Sequence, residues 1–191
     1  MIFFTSDMHF GRDEEFIYKK RGFSSCKEHD ETIIKNWNRV VSDKDEVYVL
    51  GDVADDADYG VECLKRLNGR IFIVPGNHDT QEMLFKYAEL PNVAILDKMA
   101  MVHVGTEDKW MCHYPIMFNS WRRDDFEYRG NVASMFGHTH STELFYEDDP
   151  YMYNVAVDAH DCTPVSCKEI SKDVCAKIAK IIVARQASSA S

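Results

Sequence analysis

The sequence lacks a long hydrophobic run. No apolar stretch approaches the roughly 18 consecutive residues that a membrane-spanning helix needs. The first residues carry no basic segment, and the polar residues Asp7 and His9 interrupt the apolar stretch almost at once, which argues against a secretory signal. We therefore expect no membrane partner and a cytoplasmic location.

Cysteine pairs at metal-binding or redox spacing are also missing. The six cysteines stand at positions 26, 63, 112, 162, 167 and 175, without a C-x-x-C pair or a regular framework. Their spacing does not fit a zinc ribbon. In a chain of this size such cysteines are typical of free thiols in a reducing compartment.

Basic residues are few. The chain has 22 Lys and Arg against 32 Asp and Glu, and its formal net charge is −10. Proteins that bind long nucleic acids usually carry a basic patch or stripe, so we expect no such partner. A small phosphate ester stays possible as a substrate, because bound divalent metal ions would reverse the sign of the local field.

Repeats and linkers are absent as well. The length of 191 residues with 45% hydrophobic content predicts one domain with a proper core, over residues 1–186. The small and polar residues 187–191 are typical of a disordered end. Oligomeric state has no signature in this sequence.

Polar side chains follow the apolar runs. The run at residues 71–74 stops at Pro75-Gly76, and Asn77, His78 and Asp79 follow directly. In an open α/β sheet, ligands bind outside the carboxyl ends of the strands. Four further apolar runs end in residues that can bind a metal ion: Asp7 and His9, Asp52, His113, and His138 and His140. One such run would mean little, but five in a small chain indicate a site.

The order of predicted elements favours an α/β fold. Strands at 1–7, 46–50 and 70–74 alternate with helices beginning near 25, 61 and 80, which predicts parallel strands with right-handed crossovers. After Pro91 the pattern changes to short strands, at about 93–96, 99–104, 109–113, 132–136, 143–146 and 151–157, and a final helix begins near Ser166. The prediction is two packed sheets with helices outside.

Imidazole nitrogen atoms and the oxygen atoms of carboxylates and amides suit hard or borderline divalent ions. The candidate ligands are Asp7, His9, Asp52, Asn77, His113, His138 and His140. These are too many for one four-coordinate ion and suit two ions that share a bridging carboxylate. Asp52 is the natural bridge, because its strand lies between the other two in chain order. In extended backbone, the i, i+2 spacing of Asp7 with His9 and of His138 with His140 would point both side chains the same way.

These motifs resemble the complete motif set of the calcineurin-like metallophosphoesterase family. The resemblance implies a four-layer α/β/β/α sandwich and two divalent ions, with manganese the first choice and iron, zinc, nickel or cobalt as alternatives. Carried over by motif, the first metal would be held by Asp7, His9, Asp52 and His140, and the second by Asp52, Asn77, His113 and His138. His78 would be the catalytic histidine, and Asp79 would orient its ring. The 154–166 segment resembles a small bacterial and phage subgroup.

The resemblance implies hydrolysis of a phosphodiester or phosphomonoester of a small substrate, with nucleotides and cyclic nucleotides as candidates. A metal-bridging hydroxide would attack phosphorus in line, and His78 would protonate the leaving oxygen. Arg12, Arg122 and Arg123 are the candidate phosphate-binding residues. Arg21 either lines the same cleft or packs in the core, and His29, His103 and His160 are expected to be structural. The alternatives are a nuclease of the same fold and a non-catalytic binding scaffold.

Overall fold

The computed structural model describes residues 1–116 and 132–189. The strands are β1 (Ile2–Thr5), β2 (Glu46–Val49), β3 (Arg70–Ile73), β4 (Val93–Ile95), β5 (Met99–Val104), β6 (Glu107–Cys112), β7 (Val132–Phe136), β8 (Met152–Asn154) and β9 (Val165–Ser166). The helices are α1 (Glu15–Tyr18), α2 (Cys26–Val40), α3 (Ala57–Leu64), α4 (Gln81–Ala88) and α5 (Cys167–Ser189).

The strands form two sheets. The first has the order β4-β3-β2-β1-β9, in which β1 to β4 are parallel and β9 is antiparallel to β1. The second has the order β5-β6-β7-β8, in which β5 and β6 are antiparallel while β7 runs parallel to β6 and to β8. Because β1, β2 and β3 are parallel, their carboxyl ends meet at one edge.

Two apolar layers hold the sheets and helices together. Alternation along β1 sends Phe3 into a cluster with Trp37 of α2, and sends Phe4 into a second cluster with Met135 of the other sheet. Trp37 is fully buried, and its indole N–H donates to the Asn68 carbonyl at 2.9 Å. The predicted architecture of two packed sheets with flanking helices is confirmed.

Some boundaries differ from the prediction. Helix α3 begins at Ala57 rather than near Val61, because the Asp56 side chain accepts the Tyr59 N–H and caps the helix there. The strand predicted at 143–146 is wrong, since Phe145 forms only an isolated bridge and a 3₁₀ turn begins at Tyr146. Helix α5 continues to Ser189, three residues into the predicted tail.

No helix within residues 1–116 and 132–189 is both long enough and apolar enough to cross a membrane. Arg122 and Arg123, predicted to bind phosphate, lie outside the described residues.

Candidate metal centre

The predicted ligands lie where the two sheets meet. Asp7, Asp52 and Asn77 follow β1, β2 and β3, while His113 and His138 follow β6 and β7. The two turns after β1 and β2 are tied together, because the Asp7 N–H donates to the Gly51 carbonyl at 3.1 Å and the His9 N–H donates to the Asp52 carbonyl at 3.0 Å. The parallel arrangement therefore brings carboxylates and imidazoles from distant parts of the chain to one edge.

The backbone at these residues is left-handed rather than extended, which corrects the expectation from the i, i+2 spacing. Positive φ angles between 48° and 65° occur at five of the predicted ligands: Asp7, His9, Asp52, His138 and His140. Such conformations are unfavourable for residues other than glycine and cluster at functional sites. The surrounding hydrogen bonds must therefore hold the side chains where they converge.

One group of donor atoms gathers around Asp7. Single ligand atoms of Asp7, His9 and His140 all lie within 4.8 Å of one another. The Nε2 atoms of His9 and His140 are 3.3 Å apart, and His9 Nε2 lies 3.6 Å from Asp52 Oδ2.

A second group gathers around His113. Its Nε2 atom lies 3.4 Å from Asp52 Oδ2, 2.8 Å from Asn77 Oδ1 and 3.2 Å from His138 Nδ1. Asp52 Oδ2 thus faces both groups, one through His9 and the other through His113. The structure brings all seven predicted ligands together.

The hydrogen bonding of His113 tests whether this cluster fits metal ions. The Nδ1 atom of His113 lies 2.7 Å from the Leu50 carbonyl, so it carries the proton and donates it there. The Nε2 atom then presents a lone pair to the Asp52 carboxylate and to Asn77 Oδ1, which are themselves acceptors. A cation between these acceptors would stabilise the arrangement, and the donor set suits a divalent metal ion.

The burial of the candidate ligands also favours a bound cation. The side chains of Asp7, His9, Asp52 and His113 are at most 2% exposed. Burial raises the pKa of the Asp7 carboxyl and, together with neighbouring cationic groups, lowers the pKa of His9 to about 2. The Asp7 Oδ1 and His9 Nδ1 atoms are buried without a hydrogen-bond partner among the described residues. Unpaired polar atoms are costly in a buried site, and cation coordination would relieve that cost at Asp7 Oδ1.

Glycines give these side chains room. A Cβ atom on Gly76 would lie 2.3 Å from Asp52 Oδ1, and one on Gly137 would lie 2.3 Å from Asp7 Oδ2. Both distances are far below van der Waals contact. Only glycine at these two positions lets the turns close on the carboxylates.

Asp79 contacts backbone groups rather than the His78 ring that it was predicted to orient. Its Oδ2 atom accepts the N–H groups of Asp52 at 2.8 Å and Gly76 at 2.7 Å, and its Oδ1 atom accepts the Val53 N–H at 3.1 Å. All these bonds go to backbone and none to the His78 ring. Asp79 therefore ties the turn after β3 to the turn after β2, because its carboxylate points back into the strand ends.

His78 lies at the mouth of the cluster. Its backbone N–H donates to Asp52 Oδ1 at 2.9 Å, while its side chain is exposed. An amine nitrogen of the Arg12 guanidinium lies 3.2 and 3.3 Å from the two ring nitrogens of His78. Arg12, predicted to bind phosphate, is thus beside the predicted catalytic histidine.

Sequence reasoning missed a buried ion pair behind His140. Arg21 donates to both oxygens of Asp158, at 3.1 and 2.7 Å, and these side chains are 3% and 4% exposed. Asp158 Oδ2 also lies 3.1 Å from His140 Nδ1, and Arg21 Nη1 lies 2.8 Å from His29 Nε2. Asp158 therefore accepts the His140 Nδ1 proton and leaves Nε2 free to face His9 and Asp7.

Neighbouring side chains stabilise the ionised form of the Asp158 carboxyl. Burial opposes its ionisation, but hydrogen bonds from His140 and Arg21 outweigh burial and hold the pKa of the carboxyl below its usual range. Arg21 also donates to the Asp7 carbonyl at 2.8 Å, so one side chain braces two elements of the centre. The resemblance of the 154–166 segment to a phage subgroup was the one sequence signal near Asp158.

The sequence matches the calcineurin-like phosphoesterase family over residues 1–180. The chain belongs to that family. A match covering almost the whole chain agrees with the α/β architecture and with the motif order described above. At this level the protein is a metal-dependent phosphoester hydrolase. The family typically binds a dinuclear metal site, and the cluster contains candidate ligand groups for one.

Similar proteins come from archaea, bacteria and phages. An uncharacterised protein of Methanocaldococcus jannaschii is 32% identical over 180 residues, which cover 90% of this chain and 89% of the archaeal protein. The gene 66 protein of Mycobacterium phage D29 is 26% identical over 91% of this chain and 96% of its own length. The structure of a protein of unknown function from Aquifex aeolicus matches this phosphoesterase with a TM-score of 0.67 and 25% identity, covering 90% of this chain and 98% of that one.

Proposed function

We propose that the protein hydrolyses a phosphodiester or phosphomonoester of a small substrate at a two-metal centre that shares Asp52. The observation that carries the proposal is the position of Asp52 Oδ2, which faces His9 Nε2 at 3.6 Å and His113 Nε2 at 3.4 Å. One carboxylate oxygen between two sets of imidazoles is suited to bridging two ions. Manganese is the ion to supply first.

The residues divide into two sets of proposed ligands. Asp7, His9, Asp52 and His140 would hold one ion, and Asp52, Asn77, His113 and His138 would hold the other. Ions bound there supply Lewis-acid polarisation of the phosphoryl oxygens and activate water as a nucleophile.

His78 and Arg12 complete the proposed machinery. The His78 side chain is exposed at the mouth of the cluster, and histidine is the most frequent general acid in enzymes, so His78 donates the proton to the leaving oxygen. The Arg12 guanidinium beside the ring binds a phosphoryl oxygen and neutralises developing charge.

The physiological substrate class and the compartment form the last part of the proposal. The net charge of −10 argues for a small phosphate ester rather than long nucleic acid. All six cysteines are free thiols, which favours a reducing cytoplasm.

The test is hydrolysis of a chromogenic phosphodiester and of the matching monoester, with added manganese and after chelation. We expect His78→Ala to keep its metal content and lose about 10²- to 10⁴-fold in turnover, the usual contribution of a general acid. The matched control is His103→Ala, since His103 lies on β5 with a 64% exposed side chain and pairs with Asp108. An unchanged rate for His78→Ala would remove His78 from the mechanism.

The two substrates separate the outcomes. Diester turnover that needs metal and His78 identifies a phosphodiesterase, and monoester turnover alone identifies a phosphatase. Hydrolysis of neither ester by metal-loaded protein, followed by failure across a panel of nucleotide esters, would overturn the proposal in favour of a binding scaffold.

A further inference from the structure

A cavity of about 280 Å³ opens beside the proposed metal centre. We call it the Tyr114 pocket. It lies between the turn after β3, the start of β5 and the end of β6, and its wall includes Asn77, Lys98, Met99, Cys112, Tyr114 and Ile116. Apolar side chains form most of that wall, with a few polar groups at its ends, which is typical of sites for small organic ligands.

The pocket is continuous with the centre. Asn77 belongs to both, because it lines the pocket and its Oδ1 atom lies 2.8 Å from His113 Nε2. The Tyr114 ring packs edge-to-face against His113 at 5.2 Å and His138 at 4.7 Å between ring centroids. A phosphate ester held at the metal ligands therefore has this pocket within reach of one substituent.

Tyr114 presents an aromatic surface to that substituent. The residue is 44% exposed although two imidazole rings fix its orientation. A preoriented, exposed aromatic ring beside an apolar cavity is suited to stacking on a planar group, and every nucleobase has such a face. The exposed Lys98 supplies a hydrogen-bond donor at the rim for a base carbonyl or ring nitrogen.

We propose that the Tyr114 pocket binds a planar heteroaromatic group of the substrate, of nucleobase type, that stays attached to the phosphate. This inference rests on the proposed function and narrows it to nucleotide-like esters. A larger cavity of about 630 Å³ lies by Met1 and Cys167 at the start of β1, which is the opposite end of that strand from the metal ligands. Its position excludes it from the reaction.

The test keeps the leaving group constant. Methyl p-nitrophenyl phosphate and thymidine 5′-p-nitrophenyl phosphate both release p-nitrophenolate and both retain an alkoxy group on phosphorus, so their intrinsic reactivities are similar. The tetrahydrofurfuryl analogue separates the sugar ring from the base. We expect kcat/KM for the thymidine ester to exceed that of the other two by about tenfold, the usual effect of stacking one base on an aromatic side chain.

Variants of the pocket test whether the preference for the thymidine ester comes from Tyr114 and the cavity beside it. Tyr114→Phe keeps the ring and should keep the ratio, whereas Tyr114→Ala should bring the ratio of thymidine to methyl ester close to one. Met99→Trp fills the cavity from β5 and should lower the ratio without touching the histidines. The ratio is the readout because a disturbed metal centre lowers turnover of all the esters together.

A binding measurement supports the kinetic one. Equilibrium dialysis of the manganese-loaded protein should show thymidine 5′-monophosphate binding about tenfold more tightly than inorganic phosphate, with the difference lost in Tyr114→Ala. Metal-dependent hydrolysis with a ratio near one in the wild type would overturn the pocket assignment and leave the proposed function standing. Absent hydrolysis of these diesters, of the chromogenic monoester and of the panel of nucleotide esters would overturn the proposed function, and the dialysis result would then decide the pocket by itself.

Discussion

Replacement of Asp79 separates the structural role seen here from the ring-orienting role expected from the sequence. The carboxylate accepts three backbone N–H groups, from Asp52, Val53 and Gly76. Asp79→Ala leaves all three donors without that partner, and an unsatisfied buried donor costs about 1–3 kcal/mol. Because water enters at the exposed face of the turn, we expect the lower end for each, a loss of about 3 kcal/mol in the free energy of unfolding.

Asp79→Asn should be milder. An amide oxygen in the place of Oδ2 keeps the bonds from Asp52 and Gly76, whereas the amide NH₂ group then faces the Val53 N–H. One lost acceptor corresponds to about 1–2 kcal/mol. The order wild type, Asp79→Asn, Asp79→Ala is therefore the expected order of stability.

The assay is urea unfolding of metal-free protein, so that changes in metal binding do not contribute. With a slope of about 2 kcal/mol/M, the loss in Asp79→Ala lowers the midpoint by about 1.5 M. Asp56→Ala is the matched control, because Asp56 accepts a single backbone N–H and should cost about 1 kcal/mol. An unchanged midpoint in Asp79→Ala, with turnover lost in both Asp79 variants, would refute this reasoning and restore the ring-orienting role.

Three further predictions concern the metal centre. Asp158→Asn keeps the shape but weakens the hold on His140 Nδ1, so equilibrium dialysis should show metal affinity reduced about 10- to 100-fold. Gly137→Ala puts a Cβ atom 2.3 Å from Asp7 Oδ2, so urea unfolding should show a loss of about 1–3 kcal/mol and metal analysis a lower content. Adding manganese at about 100 times its Kd to chelated protein should raise the unfolding free energy by about 2.7 kcal/mol for each site that fills, or about 5.4 kcal/mol for two sites, seen as a higher Tm.

Gly137→Ala has a matched control variant, and each of the three predictions has a result that would contradict it. Gly105→Ala introduces a side chain at φ +64° with nothing within 4 Å, so it carries backbone strain without the clash and should keep its metal content. Equal metal loss in both glycine variants would contradict the steric explanation. An unaltered metal affinity in Asp158→Asn would show that the ion pair does not position His140. A Tm that does not change when manganese is added would argue against a metal centre.

The architecture was predictable because local patterns carried it. The alternation of strands and helices up to Pro91 and the switch to short strands after it together predicted two sheets with outer helices. The candidate ligands were also visible, since each directly follows an apolar run, and the structure brings all of them to one edge.

The roles of Asp79 and Asp158 were not readable from local patterns. The family resemblance implied a ring-orienting role for Asp79, but the tight turn at Gly76 points its carboxylate at backbone N–H groups. Arg21 and Asp158 are 137 residues apart in sequence, and an isolated parallel bridge between Ser6 and Ala156 brings the chain before Asp158 beside the end of β1. Such contacts depend on tertiary geometry that no motif encodes.

The most direct test of the central account is a metal titration of chelated protein, following bound manganese and phosphoester hydrolysis in the same samples. The account predicts that two ions bind per chain and that hydrolysis appears as the second site fills. It also predicts that Asp52→Asn binds fewer than two ions per chain. Hydrolysis that persists in metal-free protein, or two ions still bound in Asp52→Asn, would contradict it.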